Sequence, residues 1–324
     1  MRSYLDHNAT TPPSAAVVEG MTTALRDAYG NPSSIHHFGQ KAKALVDDAR
    51  SRVAALIGAE PSEVLFTSGG TESDNAAILG AVARRGGAAI CPATEHHAVL
   101  AAVERVGGLV LPVTPTGVVD LDALASALDS CSDVAVVSVM TVNNEVGSVS
   151  AIDEVGRIVR TRSSALLHTD AVQAPHWVDL RAVSPHVDLL SLSAHKFGGP
   201  KGVGVLMVRA GVHLSPTAIG GGQERERRSG TQNVAGIVAI GGTDEGAVLY
   251  PGHIRRVRAG QKRAGPKRRI EPAERARLDH LVAQPVILLV RTVAPDHPVG
   301  LGELGDGRNP LHQRAMAHEI RGAN

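Results

Sequence analysis

The chain has 324 residues, of which 43% are hydrophobic, so it is long enough to bury a substantial core and is neither a short peptide nor a disordered polypeptide. Lysine and arginine together number 33 against 32 aspartate and glutamate, which excludes a global basic field for nucleic acid or an anionic membrane surface. The two cysteines, Cys91 and Cys131, lie far apart without a close cysteine or histidine partner, which argues against a disulfide scaffold and against a zinc or other metal site.

The amino-terminal segment carries no sign of export. It lacks the basic stretch followed by an apolar run that a secretory signal needs, and no run of about 18 apolar residues occurs in the chain. Two unpaired cysteines suit a reducing compartment. We therefore expect a cytoplasmic protein without a membrane partner.

Helices and strands are predicted to alternate along the first two thirds of the chain. Apolar residues at helical spacing predict helices over 14–28, 39–57, 71–84, 98–106, 121–128 and 152–162. Short apolar runs predict strands over 63–67, 88–90, 109–113, 134–140, 165–168, 187–192 and 203–208. This alternation predicts an α/β fold with a mostly parallel sheet covered on both faces, in which ligands bind at the carboxyl ends of the strands.

The composition changes after residue 243. Residues 255–277 contain ten lysines or arginines and two glutamates, and beyond them only 286–293 resembles a strand. Such a composition buries too little apolar area to order itself, so we expect a domain at 1–243 and a poorly ordered, basic, Gly/Pro/His-rich region at 244–324. No aromatic residue interleaves the basic ones, which argues against a nucleic-acid arm.

A Gly-Gly-Thr sequence lies between a predicted strand and a predicted helix. Gly69 and Gly70 let the backbone approach a ligand closely, the first amides of the helix are unpaired, and Thr71 adds a hydroxyl. These features suit a phosphate group. An ordinary turn with a helix cap is the alternative interpretation of the same residues.

Other polar residues also follow predicted strands. Lys196 lies after a buried strand among small residues, where partial desolvation lowers a lysine pKa and allows a Schiff base with an aldehyde. Asp170 can hold a pyridinium nitrogen protonated, and Gln173 can contact a ring hydroxyl. His96 can stack on a planar cofactor or relay protons. The alternatives are a surface lysine, an aspartate that caps a turn and a solvated histidine.

Jointly, these residues describe a pyridoxal phosphate site, and the motifs around them resemble those of one family. Over roughly residues 1–240 the chain resembles the cysteine desulfurases of the NifS/IscS type, which are class V aminotransferase relatives with fold type I. The matching segments are 4–12, 29–34, 67–75, 94–99, 142–147, those around Asp170 and Lys196, and 228–231.

The resemblance implies a three-layer α/β/α fold with a small carboxy-terminal domain, which is incomplete or divergent in this chain. It implies that Lys196 binds pyridoxal 5'-phosphate covalently and that Asp170 pairs with the pyridine nitrogen. His96 would stack on the ring and, with Lys196, move protons.

The remaining cofactor contacts are also carried over from the resemblance. Gln173 would contact the ring hydroxyl, and Asn144 would lie near the cofactor or the substrate. In a homodimer, Thr231 would reach the phosphate held by the neighbouring subunit. Within one chain the phosphate would be held by Gly70, Thr71, Ser193 and His195.

The implied reaction converts L-cysteine to L-alanine and moves the sulfur through a protein persulfide. The sulfur then reaches an acceptor, such as an iron–sulfur scaffold protein or a thio-cofactor pathway. In the family the persulfide forms on a cysteine in a Ser/Gly-rich loop of the carboxy-terminal domain, yet no cysteine follows Cys131 here. We interpret Cys91 and Cys131 as structural thiols and expect impaired desulfuration. A shifted reading frame or a divergent end would explain the difference.

Two other functions remain open. One is pyridoxal phosphate chemistry that needs no protein thiol, as in a selenocysteine lyase or a cysteine-type lyase. The other is a non-catalytic remnant or scaffold that binds partners through its basic segment.

Overall fold

The computed structural model describes residues 3–241, in which helices and strands alternate. The helices are α1 (Ala15–Asp27), α2 (His37–Ile57), α3 (Gly70–Arg85), α4 (His97–Arg105), α5 (Leu121–Ser130), α6 (Ile152–Arg162), α7 (Leu180–Val183) and α8 (Val234–Gly241). The strands are β1 (Val64–Thr67), β2 (Ala88–Pro92), β3 (Leu109–Leu111), β4 (Val134–Ser138), β5 (Leu166–Asp170), β6 (Leu189–Ser193) and β7 (Gly204–Val208).

Every helix and strand predicted before residue 209 is present, with ends that differ by a few residues. Local signals explain several boundaries: the Ser14 side chain caps α1 by accepting from the amide of Val17, and α2 ends at Gly58, whose φ of 75° is left-handed. The short α7, the apolar α8 and five short 3-10 helices were not predicted. The domain boundary at 243, the strand at 286–293 and the region 244–324 lie outside the described residues.

The strands form one seven-stranded sheet in the order β1-β7-β6-β5-β4-β2-β3. Strands β3, β2, β4, β5 and β6 pair in parallel, whereas β7 runs antiparallel to both of its neighbours, β6 and β1. Because β1 and β6 both oppose β7, they point the same way. The expectation of a mostly parallel sheet is confirmed, with β7 as the one reversed strand in the described part of the chain.

Alternate residues of each strand enter two different apolar layers. In β7, Val205 and Met207 face the layer that contains α2, α5 and α6, whereas Leu206 and Val208 face the layer that contains α3 and α4. Helices therefore cover both faces of the sheet, as the three-layer architecture requires. Helix α8 packs against α1 and α2. No helix within residues 3–241 combines the length and the apolar character needed to cross a bilayer.

A buried ion pair joins α2 to the loop that follows β7. Both guanidinium Nη atoms of Arg50 donate to the carboxylate of Glu224, each at 2.8 Å, and Arg50 also lies 4.7 Å from the centre of the Phe66 ring. The backbone amide of Phe66 donates to the same carboxylate at 3.1 Å. Burial acts to raise the pKa of Glu224, but the hydrogen bonds and charge of Arg50 outweigh it and lower that pKa.

Substitution of Arg50 should therefore cost much more stability than substitution of its exposed neighbour Arg52. Arg50→Met leaves the Glu224 carboxylate buried without its cation, and we expect a loss of about 3–5 kcal/mol in the free energy of unfolding. Arg52→Met breaks an exposed pair with Asp48, for which about 0–1 kcal/mol is expected. Urea unfolding measures both, and equal losses would contradict the role of the buried pair.

This difference should also depend on pH. The lowered pKa of Glu224 means that the pair stabilises the fold above about pH 4.3, the pKa of an unfolded glutamate, and that the stabilisation is lost as the pH falls through the folded pKa. The stability gap between the wild type and Arg50→Met should shrink on acidification.

Candidate active site

The residues predicted to form the site lie where strands of the same direction end. The carboxyl ends of β1, β2, β4, β5 and β6 meet at one edge of the sheet, which is where α/β folds bind ligands. The predicted residues that follow or end these strands are Gly70 and Thr71 after β1, His96 after β2, Asn144 after β4, Asp170 and Gln173 at β5, and Ser193, His195 and Lys196 at β6.

Glycines allow the turn after β1 to press against the sheet. Thr67 of β1 and Ser193 of β6 both align with Gly204 of β7, and a Cβ atom on Gly204 would come within 2.5 Å of the carbonyl carbon of Gly69. A Cβ atom on Gly70 would lie 2.8 Å from Cγ2 of Val172 and 3.5 Å from Cβ of Ser193. Only glycine permits this approach, which brings the start of α3 beside Ser193.

Helix α3 begins without a side-chain cap. Its N-cap residue is Gly69, so no side chain occupies the first-turn amides of Gly70 and Thr71, and Thr71 is exposed. The carboxylate of Glu72 turns back to accept from the amide of Ser68 at 2.8 Å and is held by Arg228, whose Nε lies 2.7 Å from Oε1. An uncapped helix start of this kind can bind a phosphate.

Lys196 and Gln173 share a backbone acceptor. The carbonyl of Asn8 accepts from the Lys196 amine and, at 2.9 Å, from the Gln173 amide, while the Asn8 side chain donates to the carbonyl of Asn144 at 3.3 Å. Burial lowers the pKa of Lys196, against the opposing charges of Asp170 and Asp6. Lys196 is therefore partly buried at this edge of the sheet.

Asp170 and His96 come together, although they belong to different strand–helix units. One side-chain oxygen of Asp170, one of Asp74 and a ring nitrogen of His96 all lie within 4.8 Å of one another. Burial raises the pKa of Asp170, partly offset by the hydrogen bond from the Val172 amide and by the nearby His96 and Lys196. His96 is exposed and caps α4 by accepting from the amide of Ala98 at 3.1 Å, so its ring is anchored at the site.

A polar chain lies buried behind Asp170. The ring of His168 contacts the hydroxyls of Ser138 and Ser191, at 2.8 and 2.9 Å, and is 3.6 Å from Asp74. Burial lowers the pKa of His168 to about 3, so this histidine is neutral and gives Asp74 no counter-charge. Glu95 is also buried: one of its oxygens accepts from the amide of Met140, and the other has no hydrogen-bond partner.

The remaining predicted residues are placed less centrally. His195 lies 3.1 Å from the Thr10 hydroxyl through Nδ1, and burial, followed by the charges of Lys196 and Lys201, lowers its pKa. Thr231 is exposed in the loop that Arg228 ties to α3, so its role towards a neighbouring subunit stays a prediction.

Neither cysteine offers an exposed thiol at this edge. Cys91 is fully buried within β2, and burial, with the charges of Glu95 and Glu104, raises the pKa of its thiol to about 12. Cys131 precedes β4 and therefore lies towards the opposite, amino-terminal edge. Both are free thiols, and their geometry agrees with their interpretation as structural residues.

Sequence reasoning missed Asn8, Asp74 and Glu95. For Asp74 a signal existed, because it shares the helical spacing of Ala77, Ile78 and Ala81, an apolar stripe on which a carboxylate must be buried. Asn8 contributes its backbone carbonyl, which side-chain identity does not reveal.

Comparison with known proteins gives a consistent result. Residues 3–245 match the model of the family "Aminotransferase class-V". A cysteine desulfurase IscS of Dictyoglomus turgidum is 44% identical over 254 residues, which cover 76% of this chain and 64% of that protein. The chain thus spans less than two thirds of the length of this curated relative.

Solved structures agree with this family match. A NifS-like protein superimposes with a TM-score of 0.71 at 41% identity and covers 74% of this chain and 68% of its own. A structure of SspA in complex with cysteine gives a TM-score of 0.69 at 35% identity, covering 74% and 71%. The expected fold type and the motif resemblance are confirmed. The chain therefore belongs to the aminotransferase class-V family, and the uncapped helix start, the strand-end lysine and the buried aspartate are features of a member of this family.

Proposed function

We propose that this chain binds pyridoxal 5'-phosphate and acts on L-cysteine, in the manner of a cysteine desulfurase. The observation that carries the proposal is the meeting of Lys196, Asp170, His96 and the uncapped start of α3 at one sheet edge. A relative named as a cysteine desulfurase, and a structural neighbour in complex with cysteine, support the same chemistry.

The described residues fit this cofactor. The open turn at Gly69 and Gly70 offers amides to a phosphate, with Ser193 beside it. Asp170 provides a carboxylate for the pyridine nitrogen, and Lys196 an amine of lowered pKa for the aldehyde. The unpartnered buried oxygen of Asp74 beside Asp170 marks a polar site without a complete hydrogen-bond set.

Each side chain would have a distinct task in the reaction. The bound cofactor supplies a conjugated ring that accepts an electron pair from the substrate α-carbon. The Lys196 amine and the His96 ring would move protons at that carbon, and Asp170 would keep the pyridine nitrogen protonated. Gln173 and Asn144, linked through Asn8, would orient the ring and the substrate. Gly70, Thr71, Ser193 and His195 would hold the phosphate.

Sulfur transfer would need a thiol from outside the described residues. Cysteine and a thiol acceptor give alanine and a persulfide: the carbon–sulfur bond breaks, the acceptor sulfur bonds the substrate sulfur, and a proton goes to the carbon. Cys91 and Cys131 are unsuited by burial and position, and no cysteine follows them in the sequence.

We further propose that the protein is a cytoplasmic homodimer in which Thr231 reaches the neighbouring subunit's phosphate. Its sulfur acceptor would be a scaffold protein of iron–sulfur cluster or thio-cofactor assembly. The exposure of Thr231 and the free thiols support these assignments.

The thiol arrangement favours one alternative function. A lyase acting on selenocysteine or a cysteine-type substrate releases its product without a protein thiol, so the position of Cys91 and Cys131 would not limit it. Incubation with cysteine, selenocysteine and cystine, followed by quantification of alanine, sulfide, selenide and pyruvate, separates the two functions.

Substitution of Lys196 should abolish covalent cofactor binding. The wild-type chain incubated with pyridoxal 5'-phosphate should show the visible absorbance band of the lysine-bound cofactor, and Lys196→Ala should lack it because, among the described residues, Lys196 is the lysine near Asp170. Lys201→Ala is the matched control, since this exposed lysine lies in the same glycine-rich loop. A band that persists in Lys196→Ala, or its absence from the wild type, would refute the cofactor assignment.

Turnover of L-cysteine should depend on an external thiol. Without an added thiol, we expect alanine formation at least about 100-fold slower than by a cysteine desulfurase with its own nucleophile, as is usual when a catalytic nucleophile is lost. Dithiothreitol should raise the rate and produce sulfide and alanine in equal amounts. A thiol-independent rate that matches such an enzyme would contradict the proposal.

A further inference from the structure

Asp74 occupies an unusual place for a carboxyl group. It lies on the buried stripe of α3 with only 1% of its surface exposed, and its Oδ1 atom has no hydrogen-bond partner. An oxygen of Asp74, one of Asp170 and a ring nitrogen of His96 lie within 4.8 Å of one another. Two buried carboxyl groups at this separation cannot both ionise without strong repulsion.

The surroundings of the two carboxyl groups differ. Asp170 accepts from the amide of Val172 at 2.8 Å and lies near Lys196 and His96. Asp74 shares the nearby His96 with Asp170, but its own histidine neighbour His168 is neutral. The titratable groups that face Asp74 are therefore Asp170 and His168 of β5, with Glu95 and His96 after β2.

We propose that Asp74 and Asp170 form a carboxyl pair that holds a single proton, and that this proton resides on Asp74. In this pair Asp74 is a positioning residue: its neutral carboxyl group places no second negative charge beside Asp170 and leaves that carboxylate ionised. Coupled carboxyl pairs elsewhere hold one proton for the same electrostatic reason. The inference rests on the proposed function in one respect: Asp170 is the group that would bind the pyridine nitrogen.

The protonation energetics agree with this geometry. Burial raises the pKa of Asp74 well above its usual range, and the charges of Asp170 and Glu95 raise it further, against the lowering effect of a hydrogen bond from Ser191. For Asp170 the rise caused by burial is opposed by the Val172 amide, His96 and Lys196. Asp170 therefore ionises first and Asp74 keeps its proton.

Carbon-13 NMR of the full chain without cofactor tests the pair directly. With the carboxyl carbons of aspartate labelled, glutamates such as Glu95 are silent. We expect one aspartate to show the shift of a protonated carboxyl at pH 7, and this signal to vanish in Asp74→Asn. A wild-type spectrum in which every aspartate is ionised at pH 7 would overturn the proposal.

A reciprocal variant keeps the test valid if Asp74→Asn does not fold. In Asp170→Asn the repulsion from Asp170 is removed, so the protonated signal should titrate at a lower pH than in the wild type. An unchanged midpoint would show that the two groups do not interact and would overturn the pair.

The pH dependence of stability provides a second measurement. A raised folded pKa stabilises the fold fully below about pH 3.9, the unfolded value, and this contribution is lost as the pH rises towards the folded pKa. Asp74→Asn removes it, so the unfolding constant of the wild type relative to this variant should grow by about tenfold per pH unit in that window. The exposed Asp122→Asn is the control and should show far less change. Identical profiles for the two variants would contradict the proposal.

Cofactor affinity separates a positioning role from a merely structural one. Asp74→Asn keeps a neutral polar group beside Asp170 and should bind pyridoxal 5'-phosphate within about twofold of the wild type, whereas Asp74→Leu should bind roughly tenfold more weakly, since the Asp170 carboxylate then faces an apolar side chain. Equal affinities for the two variants would overturn the positioning role. Absence of cofactor binding by the wild type would refute the proposed function, while the NMR and unfolding tests would still decide the pair.

Discussion

The direction of β7 is the constraint on which the site depends. Because β7 lies antiparallel between β1 and β6, these two strands run in the same direction and end at the same edge as β5, β4 and β2. If β7 ran parallel to β6 while β1 stayed antiparallel to β7, β1 would run in the opposite direction. The start of α3 would then lie at the other edge of the sheet. The contact of Gly69 with Gly204 then sets how closely α3 approaches Ser193.

Electrostatics at this edge follow from burial. Asp170, Asp74 and Glu95 are all buried near one another, and the charges of Lys196 and His96 oppose the rise that burial causes in the pKa of Asp170. In the proposed pair the negative charge lies on the Asp170 carboxylate. In the proposed function, this carboxylate is the buried anion that a protonated pyridine nitrogen would meet.

Much of the fold and part of the site could be predicted from sequence, for physical reasons. Helical spacing and short apolar runs are local signals, so the elements and residues at strand ends, such as Lys196 and Asp170, were predictable. The reversal of β7 was not predictable, because the apolar pattern of a strand does not indicate the direction in which the strand runs. Long-range partners such as Arg50 and Glu224 were also hidden, since 174 positions separate them and neither has a local signature.

The pairing of β1 has a consequence for synthesis of the protein. Among the described strands, β1 pairs with β7 alone, and Val64 pairs with Met207, near the end of the described chain. During synthesis, the backbone of β1 therefore has no strand partner until most of the domain has left the ribosome. Such distant pairing slows folding and leaves an edge open to association with other chains. Until Met207 has been synthesised, such association competes with folding.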